Sequence, residues 1–184
     1  TLTGSNSPAP AGPTYEEIME EIRHAAESLE PGKPVLHQTF NLGLEDTNPN
    51  DPNVKKNQPI NFYVDDRGPY RLEANMLAGH VEIELMPSSY FIEYGNGESD
   101  TNYTAGTAVY RTPGEKPQQT ATSYVYKRSG NFHAYATVHY TARFRVDGGP
   151  WQMMQVTPQA TSDPLLVRVW WTEVGRVAGS CEED

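Results

Sequence analysis

The stretch 132-FHAYATVHYTARFRV-146 decides how this chain is built. Phe132, Ala134, Ala136, Val138, Tyr140, Ala142, Phe144 and Val146 occupy one parity. His133, Tyr135, Thr137, His139, Thr141, Arg143 and Arg145 occupy the other. Successive side chains of a strand point to opposite faces, so this alternation predicts a half-buried β-strand. Fully extended, it spans roughly 50 Å at about 3.3 Å per residue, and a bend or bulge near its middle is expected.

The same period continues on both sides. Downstream, Asp147-Gly148-Gly149-Pro150 predicts a turn, Trp151 a short return, and Leu165 to Val174 a last strand. Upstream, Tyr90 to Tyr94 reads as a short strand closed by Gly95-Asn96-Gly97. His80 to Leu85 reads as another, with Val81, Ile83 and Leu85 inward and Glu82 and Glu84 in water. Tyr70 to Leu77, Ile60 to Val64 and Val35 to Leu42 complete the set, with a turn at 65–69 and a loop at 45–53. Residues 98–121 are polar and predict a long loop or an edge. Many short strands between turns predict a mainly β chain, folded as an antiparallel sandwich over residues 33–178.

One segment keeps a different period. Tyr15, Ile18, Met19, Ile22, Ala25, Ala26 and Leu29 recur at helical spacing, with Glu on the other face. Thr14 and Glu17 stand as a capping box, and Pro31-Gly32 stops the pattern. A single amphipathic helix over 14–30 follows, its stripe expected to dock on the sheet or to await a partner. Residues 1–13, small and Pro-rich, read as a flexible linker.

The formal net charge is −10, placed mostly at the two ends. Residues 1–30 hold six Glu against Arg23 alone, and Glu182-Glu183-Asp184 forms an acidic tail over 179–184. Residues 31–181 carry fifteen acids and thirteen bases. No basic footprint for nucleic acid exists, and an anionic membrane surface repels such a chain. Cys181 is the one cysteine, so no intrachain disulfide forms. No apolar run is long enough to span a bilayer.

Two segments resemble the PKD domain family, whose members are immunoglobulin-like sandwiches. Tyr90-Phe-Ile-Glu-Tyr-Gly-Asn-Gly97 is similar to its Y-x-W-x-F-G-D-G signature. Tyr124-Val-Tyr126-Lys-Arg-Ser-Gly130-Asn-Phe132-His-Ala134-Tyr-Ala136-Thr-Val138 is similar to its H-x-Y-x-x-x-G-x-Y-x-V strand. Phe144-Arg-Val-Asp-Gly-Gly-Pro-Trp-Gln152 resembles a variant in single-copy PKD-like proteins of actinobacteria. The likeness is strongest over 79–175. It implies an extracellular or bacterial cell-surface module, with a leader or anchor preceding Thr1. Such a module acts as a spacer or contacts a protein or glycan.

The residues make sense without the family. Gly95 and Gly97 permit positive φ, Asn96 tolerates it, and Gly130 permits a sharp turn. The Tyr126 hydroxyl is expected to pin a corner. Asp46, Asn48, Asn50 and Asp51 alternate oxygen ligands, but Asp51 and Asn57 stand where a calcium loop needs Gly and a carboxylate. His24, His37, His80, His133 and His139 lack metal-ligand spacing. Glu82 with Glu84, or Glu93 with Asp100, are the carboxylate pairs, and alternation on a wet face explains the first pair better than catalysis. The sequence therefore assigns no catalytic residue, metal or cofactor. Arg143, Arg145, Lys127, Arg128 and Arg168 read as surface cations, able to meet an acidic partner or the acidic helix. For binding, the expectation falls on Trp151, Trp170, Trp171 and Tyr135, beside Met153 and Met154, because exposed aromatics enrich protein and sugar sites.

Overall fold

A computed structural model describes residues 8–39, 54–109 and 118–170. Over these residues the chain is mainly β, with one helix. Its elements run α1 (Tyr15–Ser28), β1 (Val35–Thr39), β2 (Val54–Lys55), β3 (Pro59–Asp65), β4 (Tyr70–Met76), β5 (Gly79–Glu93), β6 (Ser99–Asn102), β7 (Ser123–Val125), β8 (Gly130–Val146), β9 (Gln152–Met154), β10 (Gln159–Thr161) and β11 (Leu165–Trp170). One sheet has the order β1-β3-β7. The other has the order β2-β11-β8-β5-β4, with β6 paired to β5 and both β9 and β10 paired to β8. The predicted loop at 45–53 and the acidic tail lie outside the described residues.

The alternating stretch becomes β8, a strand of 17 residues, with its apolar parity buried from Ala134 to Phe144. It pairs antiparallel with β11 at one end, where Leu165 faces Ala134 and Val169 faces Gly130. At the other end it pairs with β9, where Ala142 faces Met154. Tyr140 N–H donates to Pro158 O at 2.9 Å, and Ser162 N–H to Ala136 O at 2.8 Å, so β10 sits between those stretches.

One expectation needs correction. His80 to Leu85 and Tyr90 to Tyr94 are not two strands but the two halves of β5. Pro87, which lacks an N–H, reads as a strand breaker in sequence. Here β4 pairs with residues 79–85 and β6 with residues 90–93. Pro87 falls in the gap between these partners, where neither asks it for a donor.

The chain divides into two compact units. The first holds residues 8–32, Arg67–Ser88 and Val138–Ala160. Its core is Ile22, Ala26, Val81, Ile83 and Phe144, with Ile18, Met19, Ala25, Leu72, Met76 and Met154 packed around it. The helix stripe is thus docked on the sheet. The second holds the described residues of Lys33–Asp66, of Ser89–Thr137 and from Thr161 to Trp170. An aromatic cluster fills it. Tyr94 stacks on Tyr124 at 3.6 Å between centroids, and Tyr126 stands edge-on to both and stacks on Phe132. Phe62 of β3 meets Tyr94 at 5.5 Å.

Gly95 and Gly97 take positive φ, as expected, and close the turn between β5 and β6. The Tyr126 hydroxyl pins that turn rather than its own, donating to Tyr94 O at 2.9 Å. In this buried setting a carbonyl without a partner is costly, so one phenol fixes two segments together.

Candidate interaction groove

The site of most interest lies in the first unit, along α1 and β9. The helix forms where predicted. Thr14 Oγ1 accepts from Glu17 N at 3.2 Å, and Glu17 returns the contact to Thr14 N at 3.3 Å. Two otherwise unpaired donors of the first turn are thereby satisfied. Ile22 and Ala26 are fully buried, and Glu21 accepts from Leu77 N at 2.8 Å, which locks the helix to the turn after β4.

Docking does not use the whole stripe. Tyr15 remains 74% exposed at the start of α1, and Met153 of β9 is 67% exposed. Between them opens a groove of about 540 Å³ lined by Tyr15, Met19, Met153, Met154 and Val156. Glu16, Glu20 and Arg23 form its helical rim. Arg23 is already engaged: it holds Glu20 bidentately and reaches Glu27 Oε1 at 2.6 Å. The Glu20 carboxyl is held below the usual carboxylate range by this hydrogen bonding. The groove therefore presents thioethers and a phenol, with acidic side chains along its helical rim. In sequence, Tyr15 belongs to the helix stripe and Met153 to a short return strand. Nothing local says that they share one depression.

The other parity of β5 and β8 carries charge in register. Arg145 pairs with Glu82, with Nη2 to Oε1 at 2.9 Å. Arg143 donates from Nε and Nη2 to Glu84 Oε1 at 3.0 and 2.6 Å. Arg71 of β4 reaches Glu84 Oε2 at 2.6 Å. Glu84 is only 1% exposed, so the reading of a wet face is corrected there, while Glu82 is half-buried. The two strands flanking β5 each send a guanidinium group to that carboxylate, and these compensate its burial. Hydrogen bonding to Arg145 lowers the Glu82 pKa. Arg143 and Arg145 meet these β5 glutamates, not the acidic helix.

The predicted aromatics are placed as follows. Trp151 is half-buried, its ring lying over the guanidinium carbons of Arg143 at 4.3 Å and Arg145 at 4.7 Å. It belongs to the first unit. Tyr135 and Trp170 belong to the second. The Tyr135 hydroxyl donates to Glu93 Oε2. Trp170 has Lys55 Nζ 5.7 Å from its ring centroid. It lies beyond the Val169–Gly130 pair, five residues or more from Tyr135 along β8, a strand separation of at least about 16 Å. Trp171 and the Asx-rich segment 46–51 lie outside the described residues. Among the described residues, no three His, Cys, Asp or Glu side chains gather to hold a metal ion. No described helix is long and apolar enough to cross a membrane.

No protein-family model matches this chain, and neither does any curated protein or solved structure. The reading of function therefore rests on residues and geometry.

Proposed function

We propose that this protein is a non-catalytic, PKD-like module of the cell surface or extracellular space that acts through protein contact. The observation carrying this reading is the groove, with Tyr15 and Met153 exposed across it on secondary-structure elements held by a packed core. Large apolar side chains left in water beside a depression of this size are a feature of interaction sites. The PKD-like part of the reading is supported by the Gly95–Gly97 turn with its positive φ values and by the Tyr126 hydroxyl bridging to it. A pure spacer role predicts instead that no particular face of the module is used.

A glycan platform built from Trp151, Trp170, Trp171 and Tyr135 finds less support. Stacking on a sugar needs an open ring face. The Trp151 ring lies over two arginines, Lys55 neighbours Trp170, and Tyr135 is itself only partly exposed.

A photo-crosslinking residue tests the reading when placed at Tyr15 or Met153 in the full chain within its native cells. A discrete adduct from both positions, and none from the still more exposed Tyr103, is the expected outcome. Equal labelling from all three positions, or no adduct from any, overturns it.

A further inference from the structure

We propose that the groove along α1 and β9 takes a basic amphipathic segment of a partner protein, with apolar side chains entering between Met19 and Met153 and Lys or Arg facing the helix rim. This rests on the reading of the groove as a protein-contact surface, and adds the chemistry of the partner. The floor suits varied apolar side chains, because Met is unbranched, polarizable and able to repack. The rim sets the sign of the charge. Helix α1 carries five Glu against one Arg. That Arg is held by Glu20 and Glu27, so among the groove's lining residues Glu16 keeps an uncompensated negative charge.

Other occupants meet an opposing force. A second copy bound across a two-fold axis passing through the helix rim sets Glu16 and Glu20 against their own equivalents. The chain's own Glu182-Glu183-Asp184 carries the same sign as the rim. An anionic membrane surface is likewise repelled. A cationic segment is drawn toward the helix by the same charges, and the charge pattern governs encounter and partner choice more than raw affinity.

Methyl-resolved NMR on the full chain, with its five methionines isotope-labelled, tests this directly. The probes are a synthetic amphipathic peptide of Leu and Lys, the same peptide with Glu for Lys, and the same with Ser for Leu. At physiological salt the Leu/Lys peptide is expected to shift Met19, Met153 and Met154 while leaving Met86 in place. The Leu/Glu peptide is expected to bind at least about tenfold more weakly. The Glu16→Gln, Glu20→Gln double variant, its fold checked by melting, is expected to narrow that difference. Equal or tighter binding of the Leu/Glu peptide overturns the basic partner and leaves the groove. Equal binding of the Ser/Lys peptide, or shifts that include Met86 equally, reduces the effect to unspecific charge attraction and overturns the proposal. No shift at the groove methionines with any peptide removes the groove reading itself.

Discussion

A Cβ at position 95 would stand 2.5 Å from the carbonyl oxygen of His133 and 2.7 Å from its nitrogen. Both are backbone atoms of β8 and have no room to move. Gly97, two residues on, has the same left-handed φ but open space around it. The pair separates conformational cost from steric cost. Gly97→Ala is expected to cost about 1 kcal/mol, the ordinary penalty of a left-handed residue. Gly95→Ala is expected to cost at least about 2 kcal/mol more, because the strand itself must shift. Urea denaturation of both variants checks this, and equal losses would mean that β8 yields. Glu84 teaches a related lesson. Its alternation with Ile83 and Leu85 reads as exposure, yet Arg71 and Arg143 reach it from the two flanking strands. Only the neighbours decide whether a polar parity faces water or other charges.

At the scale of elements, α1 was legible in full. Its cap, stripe and stop are local, and a local pattern needs no knowledge of the rest of the chain. Its docking on Val81, Ile83 and Phe144 was left open by the sequence, since an apolar stripe matches any apolar surface. Ile22 is fully buried in that contact. Ile22→Ala is expected to destabilise the chain by about 2–4 kcal/mol, as core truncations do. The exposed Tyr15→Ala is expected to change stability by less than about 0.5 kcal/mol. Chemical denaturation of the two variants measures the difference, and an Ile22→Ala loss near zero would mean that the helix is loosely held. The long alternation of β8 was equally plain. The unity of β5 was not, because Pro87 looks like a stop until the gap between β4 and β6 is known.

For the whole molecule, the aromatic cluster of the second unit is expected to set an alkaline limit. Burial, helped by the neighbouring Asp100, raises the Tyr94 pKa. Burial also raises that of Tyr126. The folded chain therefore keeps phenolic protons that the unfolded chain releases near pH 10, the ordinary tyrosine value being about 10. With folded values raised, the contribution is fully present below about pH 10 and is lost as pH rises beyond it. Urea midpoints measured from pH 8 to 11 are expected to be steady with respect to these groups up to about pH 10 and then to fall. Tyr126→Phe is expected to make that fall shallower. An unchanged slope in the variant would show that other groups govern the limit.

The sequence by itself determined the β character, the one helix with its cap, the positive-φ turn at Gly95 and Gly97, and the uneven placement of charge. Each of these is written in periods and neighbours a few residues apart. Tertiary structure alone decided that Glu84 is enclosed, that Tyr126 reaches the turn after Tyr94, that Trp151 lies over Arg143 and Arg145, and that Tyr15 and Met153 face one groove. These pairings join residues far apart along the chain, and strand register brings them together. Register follows from the packing of all the strands at once.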